Sequence, residues 1–442
     1  MKKKLLSIVL SILALISVPI TTIKVYASET VKEITFWHTM SGDYTQLLEK
    51  QVNQFNETIG KENGIKVIPV QQEWPNTEKL MTAMSANDLE NMPDVIQLSA
   101  EGVPVIRDYA NAVYAEDLFE KDHSILNKED ILDSARAAYS INDRLFGVPY
   151  AISALLMYVN KDALSEVGID QSPKTLEDLA IATEALSKSE SVENALNIQI
   201  DLYKLENLVT TQGQGGIPFG SNNNGHDGPF DKFLAGENGD LLKFLEKWEQ
   251  VARSKSIKPI AEAENEEFAL GVNAITIMSS SRIQIVNELV DDSFEWEVTA
   301  IPTVSSEDIG GANASGSGLY ILDREKDNID AAWLFVQYMA SAENQVSWLD
   351  GTGYVPINKQ VTELDDYKQY IENNPKLEVP FNILLNTPEV VIPSYIPNFA
   401  DVGTVIKETM EKLSLGELTA GEANDKISSE VQTILDEFYE NQ

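Results

Sequence analysis

Apolar positions along the chain follow two rhythms. Short runs rich in β-branched and aromatic residues predict strands at Ile34–Trp37, Val67–Val70, Val95–Leu98, Leu155–Val159, Ala274–Met278 and Leu319–Leu322. Between them the apolar residues recur at three or four positions. Leu241, Leu245, Trp248 and Val251 form one such stripe, and Ile329, Trp333, Val336 and Met339 or Ala340 another. Thr175-Leu176-Glu177-Asp178 reads as a helix start, with a capping hydroxyl and an acid three residues later. Alternating strands and helices predict an α/β architecture with mostly parallel sheets. The most loop-like stretches are Gln212–Pro229 and Ser305–Gly318; there is no internal repeat and no long linker.

The first residues stand apart from this pattern. Met1-Lys2-Lys3-Lys4 is a basic start, Leu5 to Ile20 is uncharged and mostly apolar, and Val25-Tyr26-Ala27 suits a signal peptidase pocket. We read residues 1–27 as a secretory signal peptide. The alternative is an uncleaved anchor from Leu5 to Val25, in which Lys24 sits badly. The remainder is expected outside the cytoplasm, in a periplasm or at the cell surface. Without a cysteine it cannot be a lipoprotein.

Composition narrows the chemistry. Lys and Arg total 33 against 70 Asp and Glu in 442 residues, a formal charge of -37. Phosphate backbones need a basic surface, so no nucleic-acid partner is expected. The acids are spread along the chain, as on a solvated surface that keeps a protein soluble and monomeric. Zero cysteines remove disulfides, thiolate metal sites and cysteine nucleophiles. The histidines, His38, His123 and His226, are far apart, so no metal site and no cofactor is expected.

Tests for enzyme chemistry fail. Ala314-Ser315-Gly316-Ser317-Gly318 comes nearest to a nucleophile elbow and misses it, and Pro218 takes the third glycine's place after Gly213-Gln214-Gly215-Gly216. Close carboxylate pairs are guaranteed by chance among so many acids, so they carry no specificity for glycoside hydrolysis.

Several segments taken in order carry a resemblance. They are Ile34-Thr35-Phe36-Trp37-His38-Thr39-Met40-Ser41-Gly42, Val148-Pro149-Tyr150, the run Leu156 to Leu164, Pro173 to Leu179, the set Phe268, Gly271, Ala274 and Thr276-Ile277-Met278, and Ala331 to Phe335 leading to Thr352-Gly353-Tyr354-Val355-Pro356-Ile357. Together they resemble the extracellular solute-binding proteins of carbohydrate-type ABC importers, above all the glycerol-3-phosphate-binding proteins and their oligosaccharide-binding relatives. The resemblance implies the two-lobed periplasmic-binding-protein fold, type II-like, with discontinuous lobes and a hinge. Carried over, the lobes are 28–148 with 302–350, and 149–301 with 351–442. The crossings fall near Gly147–Ser153, Ala300–Ser305 and Gly351–Tyr354. A ligand lies in the cleft and closure buries it. The implied partners are a small carbohydrate and the transmembrane subunits of an ABC permease.

Sugar recognition needs flat apolar faces for C–H surfaces and polar groups for hydroxyls. By motif position the candidates are Trp37 and His38 after the first strand, Trp74 or Asn76 after the second, and Glu101 after the third. Loops after parallel strands are where α/β sheets bind ligands. The other lobe and the crossings offer Ser153, Tyr203, Ser280, Gly316, Tyr354 and Tyr395. Gly316 would admit a close backbone approach to the ligand. Each has a plainer alternative: Trp37 equally as a core residue, His38 as a structural histidine, Glu101 as a helix-start acid. Trp248, Trp333 and Trp348, on helical stripes, are expected in the core.

Two departures bear on the ligand. The glycerol-3-phosphate relatives carry a tryptophan pair just upstream of the segment matching Leu205-Glu206-Asn207; here Tyr203 is the only aromatic of Gln199–Tyr203. They also place an arginine in the late cleft segment, where Ser394-Tyr395-Ile396-Pro397-Asn398 has no base. A phosphate dianion needs charge-assisted donors. The expected ligand is therefore a neutral sugar or oligosaccharide, with Tyr395 as a stacking surface. Three other readings stay open: glycerol-3-phosphate or a related polyol phosphate, a secreted glycoside hydrolase, and a sensor module for a receptor kinase.

Overall fold

The computed structural model describes residues 31–73, 76–260 and 262–440. The expected signal peptide and Trp74 lie outside the described residues.

Two mixed sheets form the framework. The first runs in the order β2 (Ile65–Gln71), β1 (Lys32–His38), β3 (Val95–Ser99), β13 (Ser315–Leu322) and β4 (Ala112–Val113), with β7 (Val148–Ser153) also paired to β13. A small hairpin joins β5 (Ser140–Ile141) to β6 (Arg144–Leu145). The second sheet runs β10 (Ile257–Lys258), β9 (Asn194–Asn197), β11 (Asn273–Ser279), β8 (Leu155–Asn160) and β12 (Trp296–Ala300). β8 is apolar up to Asn160 because both its faces are covered, whereas β3, equally buried, carries Gln97 and Ser99 toward the cleft.

The expectation of mostly parallel sheets needs correction. β1 is parallel to β2 and β3, and β9 to β10 and β11. But β13 is antiparallel to β3, β4 and β7, and β8 to β11 and β12. The reason is the crossing of the chain. β3 and β11 end where Ser99 meets Ser317 and Ser279 meets Leu155. A strand arriving from the other lobe must start at that same end, and so runs against its neighbour.

The chain changes sheet at Ala154, between β7 and β8, rather than at 148/149 as expected. Residues 149–153 remain on the first sheet because β7 keeps its ladder with β13, down to Ser153 against Ser315. The second passage lies between Ala300 and Ser315.

Each sheet has its core. The first holds Phe36, Leu48, Phe55, Val95, Ile96, Tyr150, Leu319 and Phe335; the second holds Leu196, Phe244, Leu245, Trp248, Ile275, Ile406 and Val431. Alternation on β8 divides its side chains between them: Leu156 and Tyr158 face the first core, Leu155, Met157 and Val159 the second. Beyond Gly351–Tyr354, where a third crossing was expected, the chain still packs with the first core. Tyr367, Ile371, Leu377, Phe381, Leu384 and Tyr395 pack with the first, and the second takes over at Ile396.

The helices follow their patterns. Asp240–Ala252 buries Leu241, Phe244, Leu245, Trp248 and Val251 along one stripe. Leu176–Leu186 begins with a full capping box, Thr175 accepting from Asp178 N and Asp178 from Thr175 N. Trp248, Trp333 and Trp348 are buried core residues, as expected.

Candidate ligand-binding cleft

A cavity of about 520 Å³ opens between the two sheets. Its floor is made where crossing strands meet: Ser99 and Ala100 after β3, Ala151 and Ser153 at the end of β7, and Ser315, Gly316 and Ser317 at the start of β13. Polar side chains at these strand ends face one another because the strands terminate at the cleft.

Gln97 anchors this floor. Its Nε2 donates to Ser317 Oγ at 2.6 Å, and its Oε1 accepts from Thr39 N at 3.2 Å. Asn76 stands behind it, donating to Gln97 O at 3.0 Å from a buried position. One amide therefore ties the loop after β1 to β3 and β13.

Aromatic surface comes from both lobes. Tyr44 opens the helix Asp43–Glu57, and its hydroxyl reaches Thr352 O at 3.4 Å. Tyr354 lies across it, ring centroids 6.0 Å apart and planes at 63°. Behind Tyr354, Trp348 stacks at 6.1 Å with planes 6° apart, and Tyr150 stacks on Trp348 at 5.0 Å. Tyr203 and Phe399 complete the apolar walls.

The helix Leu202–Thr210 presents Tyr203 and Glu206 to the cavity from positions one turn apart. Asp201 caps it, accepting from Lys204 N at 2.9 Å. Asn207 clamps it to the second passage: Asn207 Nδ2 donates to Asn313 Oδ1 at 3.0 Å, and Asn313 N donates to Asn207 Oδ1 at 2.9 Å. Glu206 is nearly fully buried, accepting from Ser394 Oγ and, at 3.2 Å, from Asn313 Nδ2. Burial pushes its carboxyl up to about 7, against the pull of those donors. The Tyr203 hydroxyl is buried and its ionisation is suppressed by burial. Ser153 is close enough to favour the phenolate, but no hydrogen bond of regular geometry forms.

Four expected site residues line the cavity: Ser153, Tyr203, Gly316 and Tyr354. Glu101 belongs to the short turn Ala100–Gly102, whose Ala100 lines the cavity; its side chain is outside the described set.

Others are placed elsewhere. Trp37 is core, 3% exposed, with Lys79 Nζ 4.4 Å over its ring. His38 is buried beside Phe36, and its Nδ1 has no partner. Burial lowers it to about 4. Ser280 is fully buried, and its Oγ accepts from Ala154 N at 3.2 Å, so it braces the passage between sheets. Tyr395 is no stacking surface for a ligand: its ring lies on His226 at 3.8 Å, and its hydroxyl donates to Ala138 O at 2.9 Å. Gly316 lines the cavity, but its close approach is to protein. A Cβ there would stand 2.1 Å from Ala151 O.

The structure also brings in residues the sequence reading passed over. Arg282, two positions beyond Ser280, lines the cavity and is solvent-exposed, with no hydrogen bond or ion pair among the described residues. The expectation of a cleft without a base is thus corrected. Sequence placed bases by motif position, whereas Arg282 arrives through the turn Ser280–Arg282 after β11. Tyr44 and Glu206 were also missed. Tyr44 lies two positions beyond the quoted Ser41-Gly42, and Glu206 lies within the quoted Leu205-Glu206-Asn207.

A polar-floored, aromatic-walled cleft between two α/β lobes is the geometry of a protein that encloses a small solute. The sequence profile of the bacterial extracellular solute-binding proteins matches residues 50–376, and the chain belongs to that family. It is 25% identical over 411 residues to the sn-glycerol-3-phosphate-binding periplasmic protein UgpB of Escherichia coli (strain K12), covering 90% of this chain and 91% of that one. The fold matches the sugar-binding protein MalE from Xanthomonas citri with a TM-score of 0.76, 18% identity and coverage of 93% and 100%. It also matches UgpB from Mycobacterium tuberculosis, solved in complex with glycerophosphocholine, with a TM-score of 0.71, 18% identity and coverage of 92% and 99%.

Proposed function

We propose that this chain captures a neutral sugar or short oligosaccharide in the cleft and hands it, chemically unaltered, to the transmembrane subunits of an ABC importer. The observation that carries the reading is the lining of the cavity. Thr39, Ser41, Ser99, Ser153, Ser315, Ser317 and Ser394 supply hydroxyls, while Tyr44, Tyr203, Tyr354 and Phe399 supply flat faces. Hydroxyl-rich floors pair with sugar hydroxyls and aromatic walls with their C–H faces. The volume falls within the roughly 300–1,000 Å³ range of small-molecule sites. The name of the sugar-binding protein MalE from Xanthomonas citri agrees with a solute of this kind, whereas the two UgpB proteins are named for or solved with glycerol phosphates.

The reading includes export by residues 1–27, a monomeric state and the absence of catalysis. It also includes lobes that meet at Ala154 and at the passage 300–315, and close around the ligand.

Arg282 supports a second reading. A free guanidinium at the cavity wall suits a phosphate-bearing ligand, such as the one for which the Escherichia coli relative is named.

Titration calorimetry decides between them. The panel is glucose, maltose, maltotriose, glycerol-3-phosphate and glycerophosphocholine. Tight binding of a neutral saccharide with no sugar consumed is the expected result. Binding confined to the phosphates would replace the first reading with the second, and steady hydrolysis of a saccharide would remove both.

A further inference from the structure

Glu206 is a carboxylic acid placed where a sugar-binding cleft gains most from an acceptor. It lines the cavity, yet it is 4% exposed. Ser394 Oγ and Asn313 Nδ2 are both donors, one to each carboxylate oxygen, and the backbone amide of Ser394 also favours the ionised form. An ionised carboxylate has about four lone-pair sites, so these donors leave about one for a further donor. Asn313 is itself held by Asn207 and fully buried, and Ser394 is buried, so the carboxyl cannot turn away without breaking both contacts. Beside it, the buried hydroxyl of Tyr203 has no regular partner.

We propose that Glu206 is a ligand-contacting, specificity-setting residue of this cleft: its remaining acceptor capacity receives a hydroxyl of a sugar ring. This deepens the proposed function and rests on it. A ligand offering only acceptors toward Glu206, such as a phosphate oxygen pair, is repelled from it. Specificity of this kind is strong, because a substrate lacking a donor leaves a buried acceptor unpaired.

The proposal makes capture depend on protonation. A protonated Glu206 offers one acceptor fewer and presents a donor in its place. Binding of a donor favours the ionised form, so the ligand is held more weakly as pH falls through the range near 7 where the free carboxyl titrates. Affinity levels off again below the lower pKa of the bound form. The titratable and charged groups that face Glu206 do not reverse this sign. Tyr203 on its own helix stays neutral in this range, and no group on the segments of Asn313 and Ser394 in contact with it titrates there. Arg282 is a further charged group on the cavity wall.

The test is calorimetry with maltose, glucose and maltotriose at pH 5.5 to 8.5 on the full exported chain, E206Q and S394A, each checked for folding by circular dichroism. The wild type is expected to bind one saccharide with affinity falling toward low pH. E206Q should weaken it by about tenfold or more at pH 8, since one charged acceptor is lost, and should flatten the pH dependence. S394A removes a donor that favours the ionised carboxyl, and should move the midpoint of the pH dependence upward. A folded E206Q that binds the same saccharide as well as the wild type, with the same pH profile, overturns the role of Glu206 and leaves the sugar reading standing. If E206Q fails to fold, an unmoved midpoint in S394A overturns it instead. No saccharide binding to the wild type removes both.

Discussion

Gly316 and the carbonyl of Ala151 occupy the same space that a side chain would need. A Cβ on residue 316 would lie 2.1 Å from Ala151 O, and the backbone there has φ of +134°. The paired strands β7 and β13 carry both cleft residues and the last contacts before the chain changes sheet. Gly316→Ala should therefore destabilise the protein by about 3 kcal/mol through strain and clash, even though it adds one methyl group. Thermal melting followed by circular dichroism reads this directly. An unchanged melting temperature would mean that the strands separate there at little cost.

Tyr354 and Tyr395 should behave oppositely, although both are aromatic and both were expected at the site. Tyr354 faces the cavity with Trp348 behind it, so Tyr354→Ala should weaken saccharide binding by about tenfold or more through lost stacking area. Tyr395→Phe removes only the hydroxyl that donates to Ala138 O. It should cost about 1 kcal/mol of stability and leave the saccharide affinity in place. Calorimetry and melting on the two variants separate the roles.

Arg324 and Asp94 form an almost wholly buried ion pair at 2.8 Å. Asp94 also accepts from Thr35 N at 2.8 Å and from Asn328 Nδ2 at 3.0 Å, and Arg324 donates to the carbonyls of Leu89 and Glu90. Removing one partner strands the other charge. Arg324→Met should destabilise by about 3–5 kcal/mol. Urea unfolding measures the loss, and a change much under that range would show that water or another group takes over the pairing.

His38 gives the fold a pH dependence of known sign. Burial holds its folded pKa at about 4, below the ordinary 6.5. Between those values the unfolded chain takes up a proton that the folded one refuses. Its stabilising contribution is therefore complete above pH 6.5 and declines as pH falls toward 4. Burial also lowers His226, although Ser140 O and Pro393 O lie 2.7 and 2.8 Å from its ring nitrogens and favour the charged form. His38→Gln should remove part of the acid-side slope of stability and leave the part due to His226. Melting temperatures from pH 4 to 7.5 test this, and an identical slope in the variant would contradict it.

Local pattern made much of the framework legible. The six expected strands match β1, β2, β3, β8, β11 and β13 to within a few residues at each end, because β-branched, aliphatic and aromatic residues fill their buried positions. The stripe from Leu241 to Val251 and the Thr175 cap are equally local, since three- and four-residue spacing and a capping hydroxyl act within one turn. The mixed strand directions were not readable in this way. A strand's direction in its sheet depends on which lobe the chain has just left.

The sequence by itself determined the α/β alternation and the tryptophans of the core, and its resemblance implied the two lobes and the segments from which a cleft would be built. Only the tertiary structure decided which side chain of each segment faces the cavity. Position 395 and position 394 are neighbours, yet His226 claims the tyrosine ring while Ser394 turns to Glu206. Ser280 and Arg282 are two residues apart, yet the serine braces Ala154 and the arginine meets the cavity. Orientation at this scale depends on partners far away along the chain, and those partners come into contact only when both lobes have folded against each other.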